Sequence, residues 1–74
     1  MAEYQVNARG LQCPGPIVQL FGTYKKCNSG DTIVIEVTEQ GFKKDVYAWA
    51  KKTNCEILSM EEQDGVIKAV IKKN

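Results

Sequence analysis

The 74-residue chain contains no histidine. The commonest neutral-pH acid–base and metal-binding side chain is therefore missing. Zinc sites of the cysteine–histidine kind are excluded, and so is a Cys–His hydrolase, which would lack its base. Three cysteines occur, Cys13, Cys27 and Cys55, an odd number with no close pair, so no disulfide framework is expected. The only prolines are Pro14 and Pro16. No apolar run is long enough to span a bilayer. The start, Met1-Ala2-Glu3-Tyr4, has none of the regions of a secretion signal, which points to the cytoplasm. Charge of one sign is also lacking: the net charge is +1, and Lys and Glu are spread along the chain. The clustered basic footprint of a nucleic-acid binder is absent from that pattern. We expect no cofactor, no metal and no membrane partner.

What is present suits one small domain covering residues 1–74. A chain of this length buries about 60% of its extended surface on folding. A large closed cavity is not expected, so any chemistry should sit at the surface. Residues 3–8 alternate, with Tyr4, Val6 and Ala8 on one face, as in a half-buried strand. A helix is predicted from Pro14 to about Lys26, with Ile17, Leu20, Phe21 and Tyr24 on its apolar stripe and Val18 beside them. Asn28-Ser29-Gly30-Asp31 ends it with turn residues. Residues 32–38 are rich in β-branched side chains and read as the clearest strand. A second helix is predicted over 42–53, with Phe42, Val46, Trp49, Ala50 and Thr53 on one stripe. Residues 55–61 and 66–72 read as strands joined at Asp64-Gly65, a strong hairpin signal.

The order βαβαββ predicts an α/β two-layer sandwich, a mixed four-stranded sheet with two helices on one face. The first two strands should be parallel and the last two antiparallel. Val34, Leu58, Met60 and Ile67 are the aliphatic candidates for the sheet's open face. Either a partner or second copy covers them, or they are scattered exposed side chains.

The informative stretch is Gly10-Leu11-Gln12-Cys13-Pro14-Gly15-Pro16. Cys13 directly precedes the predicted helix, where Pro14 suits the first helical position and Pro16 the first turn. A sulfur there would face the helix's free N–H groups and positive dipole end. That favours a thiolate by about 0.3–1 kcal/mol, less than one pKa unit. The prolines remove two N–H donors, so a modest shift is expected, to which Arg9 would add if its side chain folds back over the loop. A persulfide anion would be held in the same way. With no second cysteine nearby, a thioredoxin-type dithiol is disfavoured. The competing reading makes Cys13 a small buried residue beside a helix start. Cys27 and Cys55 read as structural; one of them as a resolving thiol is the lesser reading, since Cys27 lies about 20 Å away along the helix. The Lys25-Lys26, Lys43-Lys44 and Lys51-Lys52 pairs read as solvated helix faces or as a docking surface for an acidic partner. Trp49 reads as core, and Glu39 and Asp45 as polar groups without a defined role.

Gly10-Leu11-Gln12-Cys13-Pro14-Gly15-Pro16 resembles the Gly-Leu-x-Cys-Pro-x-Pro signature of TusA-like (SirA-like) sulfur carriers. The likeness runs over nearly the whole chain: Ser29-Gly30-Asp31, Asp45-Val46-Tyr47-Ala48-Trp49-Ala50 and Asp64-Gly65 match family features. Asn7, Glu39-Gln40 and Asn54 depart from common family residues. The resemblance implies a βαβαββ sandwich and a sulfurtransferase activity carried by a persulfide on Cys13. Gly10, Leu11, Pro14 and Pro16 would support that cysteine. It also implies sulfur donor proteins of desulfurase or rhodanese type, and acceptor proteins. The alternative is a non-catalytic regulatory or interaction module on the same fold.

Overall fold

The computed structural model describes residues 2–12 and 15–74. The elements are β1 (Glu3–Ala8), α1 (Gly15–Lys26), β2 (Thr32–Val37), α2 (Phe42–Thr53), β3 (Cys55–Gln63) and β4 (Val66–Lys73). The sheet order is β1-β2-β4-β3. Strands β1 and β2 run parallel, and the other two pairings are antiparallel. The α/β sandwich expected from the periodicities is the observed architecture.

Alternation decides which side of the sheet the helices cover. Val6, Ala8, Ile33, Ile35, Val37, Ile67, Ala69 and Ile71 share the inner face, and Leu20, Phe42 and Val46 from the helices close over them. Phe42, Val46 and Ala50 recur at helical spacing on the buried stripe of α2. Asn54 ends that helix in the left-handed conformation at φ 59°, a place asparagine tolerates. The Trp49 and Tyr24 rings meet in a T-shaped contact, with centroids 5.4 Å apart at 84°, and join the two helices. Trp49 is half-buried against the core rather than within it.

The open face differs from expectation. Met60 and Ile67 pack on the helix side, Ile67 with no exposure. Ile67 follows the plain alternation of β4 with Ala69 and Ile71, whereas Met60 is turned inward by a bulge at Leu58: Ile57 pairs with Ile71, but Ser59 pairs with Val70. One extra residue moves the following side chains to the other face. Leu58 is left 48% exposed at the irregularity. Val34 does face away from the helices, yet it is buried between Gln5 and Val70 of the flanking strands. The rest of that face is mostly polar, with Glu56 opposite Lys72 and Glu61 opposite Lys68.

Candidate functional site

Residues 9–12 after β1 and the first residues of α1 are each tied into the fold. At the end of β1, Ala8 is fully buried opposite Val37. The Leu11 N–H donates to the Ala8 carbonyl at 3.3 Å, closing a turn. Gly10 is its third residue, at φ +85°, the left-handed value a type II turn needs there. The Gly10 N–H donates to Thr38 Oγ1 at 2.9 Å, which ties the turn to the end of β2. On the far side, the Gly15 N–H donates to the Gln12 carbonyl at 2.7 Å. A Cβ on Gly15 would stand 3.3 Å from Leu11 Cβ, so the absence of a side chain lets Leu11 lie against the start of α1. Pro16 is buried in the first helical turn, where a missing N–H costs no hydrogen bond.

Of the five residues the sequence singled out, Gly10, Leu11 and Pro16 are therefore brought to one loop and its helix start. Cys13 and Pro14 lie outside the described residues. Arg9 corrects an expectation. Its Nε donates to Asn7 Oδ1 at 3.0 Å and stands 3.7 Å from Glu36 Oε1. Asn7 and Glu36 face each other in register on the open face, so the Arg9 charge is engaged there rather than folded over the loop. Asn7 Oδ1 also accepts the Arg9 N–H at 3.1 Å, a turn that asparagine favours. Thr38 was not recognised in the sequence; its signal is the parallel register, which sets it beside the residue after β1.

The other cysteines sit at the opposite end of α1. Cys27 follows the helix and is 4% exposed. Burial pushes its thiol pKa up, and neighbouring Asp31 adds to this. Such a thiol is a poor nucleophile at neutral pH. Cys55 opens β3, half-buried against the core. Lys73 Nζ donates to the carbonyls of Cys27 at 2.8 Å and Tyr24 at 3.1 Å, capping the end of α1. Glu39, without a role in the sequence, accepts the Gly41 N–H at 3.0 Å just before α2.

Two of the surface grooves bear on where the site lies. The larger, about 470 Å³, lies on the open face along Glu36, Glu61 and Lys68, and no cysteine lines it. The smaller, about 260 Å³, runs between the helices along Ile17, Ala48 and Trp49, and begins in the first turn of α1. Position, not size, links the second to the loop of interest. No helix is long and apolar enough to cross a membrane among the described residues.

A family model described as Sulfurtransferase TusA matches residues 4–73. A putative sulfur carrier protein of Aquifex aeolicus is 38% identical over 92% of this chain, which spans 34% of that relative. A putative sulfur carrier protein of Archaeoglobus fulgidus is 29% identical over 92% of this chain and 93% of its own length. The sulfur carrier protein TusA of Allochromatium vinosum is 34% identical over the full length of both. The chain thus spans about a third of the first of these relatives and nearly all of the other two.

Proposed function

Because the chain belongs to the sulfurtransferase TusA family, we propose that it carries sulfane sulfur as a persulfide on Cys13, between a donor protein and an acceptor protein. The observation that carries this reading is the construction of the loop around that residue. A left-handed glycine, two backbone hydrogen bonds and a buried proline hold both flanks of Cys13. The remaining thiols lie beyond the other end of a twelve-residue helix, about 18 Å away at 1.5 Å per residue. Loading therefore has no resolving thiol beside it to discharge the product.

The step balances without a cofactor. The Cys13 thiolate attacks the terminal sulfur of a donor R–S–SH. A bond forms between Cys13 Sγ and that sulfur, the donor S–S bond breaks, and R–S⁻ leaves; Cys13–S–SH remains. Delivery to an acceptor thiolate is the same exchange with the roles reversed. At the start of α1, Gly15 N–H is taken by Gln12 and Pro16 has none, so the first turn offers few amides to an anion. The helix dipole favours the anionic forms modestly. On this reading residues 1–74 act as one carrier domain, in the cytoplasm, where thiols are kept reduced.

Incubation with a cysteine desulfurase and L-cysteine should add one sulfur, about 32 Da, to Cys13. Intact-mass spectrometry and peptide mapping read this directly. Cys13→Ser should abolish the adduct, whereas Cys27→Ala and Cys55→Ala should keep it. An adduct on Cys27 or Cys55 in place of Cys13, or none on an accessible, reduced Cys13 from either the desulfurase or inorganic polysulfide, ends the reading.

A further inference from the structure

The fold sorts charges that the sequence scatters. Helices α1 and α2 carry six lysines and a single acid, Asp45, and α1 has no acidic residue at all. Lys43 is paired with Glu62. Among the described residues no ion pair engages Lys25, Lys26, Lys51 or Lys52, and all four are exposed. The contact of Tyr24 with Trp49 and Thr53 sets the C-terminal ends of the two helices side by side. The four lysines therefore gather at one end of the helix layer. The open face of the sheet shows the opposite arrangement, with carboxylates matched to lysines across strands.

Apolar exposure follows the same layer. Val18 is 62% exposed and Phe21 42% exposed, one turn apart on α1. Leu11, 37% exposed, stands at the head of that line. Lys25 Nζ lies 4.7 Å from the centre of the Phe21 ring and ends it. The groove over Ile17, Ala48 and Trp49 runs alongside. Exposed apolar side chains with a charged rim mark protein-binding surfaces, and an aromatic anchor within such a rim is the usual centre of their binding energy.

We infer that this face of the helix layer, from Leu11 through Val18 and Phe21 to the lysines at the helix ends, is the docking surface for the sulfur-donating protein, whose complementary patch is acidic around an apolar centre. The inference rests on the persulfide reading of Cys13. A partner seated on Leu11, Val18 and Phe21 covers the start of α1, where Cys13 enters the chain. Lysines one to two turns beyond Phe21 steer an acidic surface into that register. At physiological salt such attraction is screened beyond about 8 Å, so the steering acts at close approach and weakens as salt is added.

The test loads Cys13 from two donors: a cysteine desulfurase from the same genome with L-cysteine, and inorganic polysulfide, which needs no docking. The chains are wild type, Lys25→Gln/Lys26→Gln, Phe21→Ser, and the control Lys68→Gln/Lys72→Gln, which changes net charge equally on the open face. Circular dichroism checks the fold; Val18→Ser replaces Phe21→Ser should that variant lose helix. Both helix-face variants should load about tenfold or more slowly from the desulfurase and at the wild-type rate from polysulfide. The control should match wild type with both. Raising salt from about 50 to about 300 mM should slow only the desulfurase reaction. Helix-face variants that load from the desulfurase at the wild-type rate overturn the proposal, as does a desulfurase that fails to load the wild type while polysulfide succeeds. In both cases the persulfide reading stands. Loading from neither donor removes both. Co-sedimentation with anionic phospholipid vesicles that is lost in the helix-face variants, with transfer unchanged, would assign the face to a membrane and also overturn the proposal.

Discussion

Gly10 holds a backbone conformation that an L side chain enters at a cost of about 1 kcal/mol or more. Its missing Cβ would meet nothing within 4 Å, so the constraint is torsional and not one of space. Gly10→Ala should lower the melting temperature by about 4–8 °C, measured by thermal circular dichroism, and slow the loading of Cys13. Asp31 is a second node. Its carboxylate accepts the N–H groups of Ala2 and Asn28, both at 2.9 Å, and these two bonds lower its pKa. A carboxylate lowered on folding contributes stability that is whole above its unfolded pKa of about 3.9. That contribution is lost as pH falls below this value through the folded one. Asp31→Asn should therefore be less stable than wild type at pH 7, and urea midpoints of the two should converge below about pH 4. The sequence showed Asp31 only as a turn residue, because its partners lie 29 positions before and 3 before it. The turn at Gly10 and the helix start with Pro16 were legible for the opposite reason: both are local signals. The placement of Arg9 was not, since Asn7 and Glu36 compete for it across a strand pairing.

At the level of elements, period and turn chemistry carried most of the fold. Asp64-Gly65 forms the hairpin that its composition announced, with φ of 53° and 78° at the two loop positions, as a type I′ turn requires. The bulge at Leu58 had no such signal. Nothing in the composition of residues 55–61 marks an extra residue, and the strand's faces were misassigned beyond that point. The C-terminus of α1 likewise depends on a distant group. Lys73 closes it with two hydrogen bonds to carbonyls and lies 4.3 Å from the centre of the Tyr24 ring. Charge-assisted bonds of this kind contribute about 1.5–3 kcal/mol. Lys73→Met should cost about 2 kcal/mol in urea unfolding and speed hydrogen exchange at the last turn of α1. An unchanged exchange rate there would show that the cap is idle.

At the scale of the whole molecule, a chain with a net charge of +1 has two faces of different character. Lysines placed as pairs along the sequence look dispersed, and only the fold, which ends both helices at one side, gathers four of them. The match over residues 4–73 places the chain in the sulfurtransferase TusA family. What this particular chain recognises would be written in the exposed side chains of the helix layer. That layer also contains the means of watching recognition happen. Trp49 is the molecule's sole indole, set nearly perpendicular to the Tyr24 ring and lining the interhelical groove. Its emission should shift when another protein covers the groove and stay constant when small sulfur compounds react at the loop, so the unlabelled chain reports its own encounters.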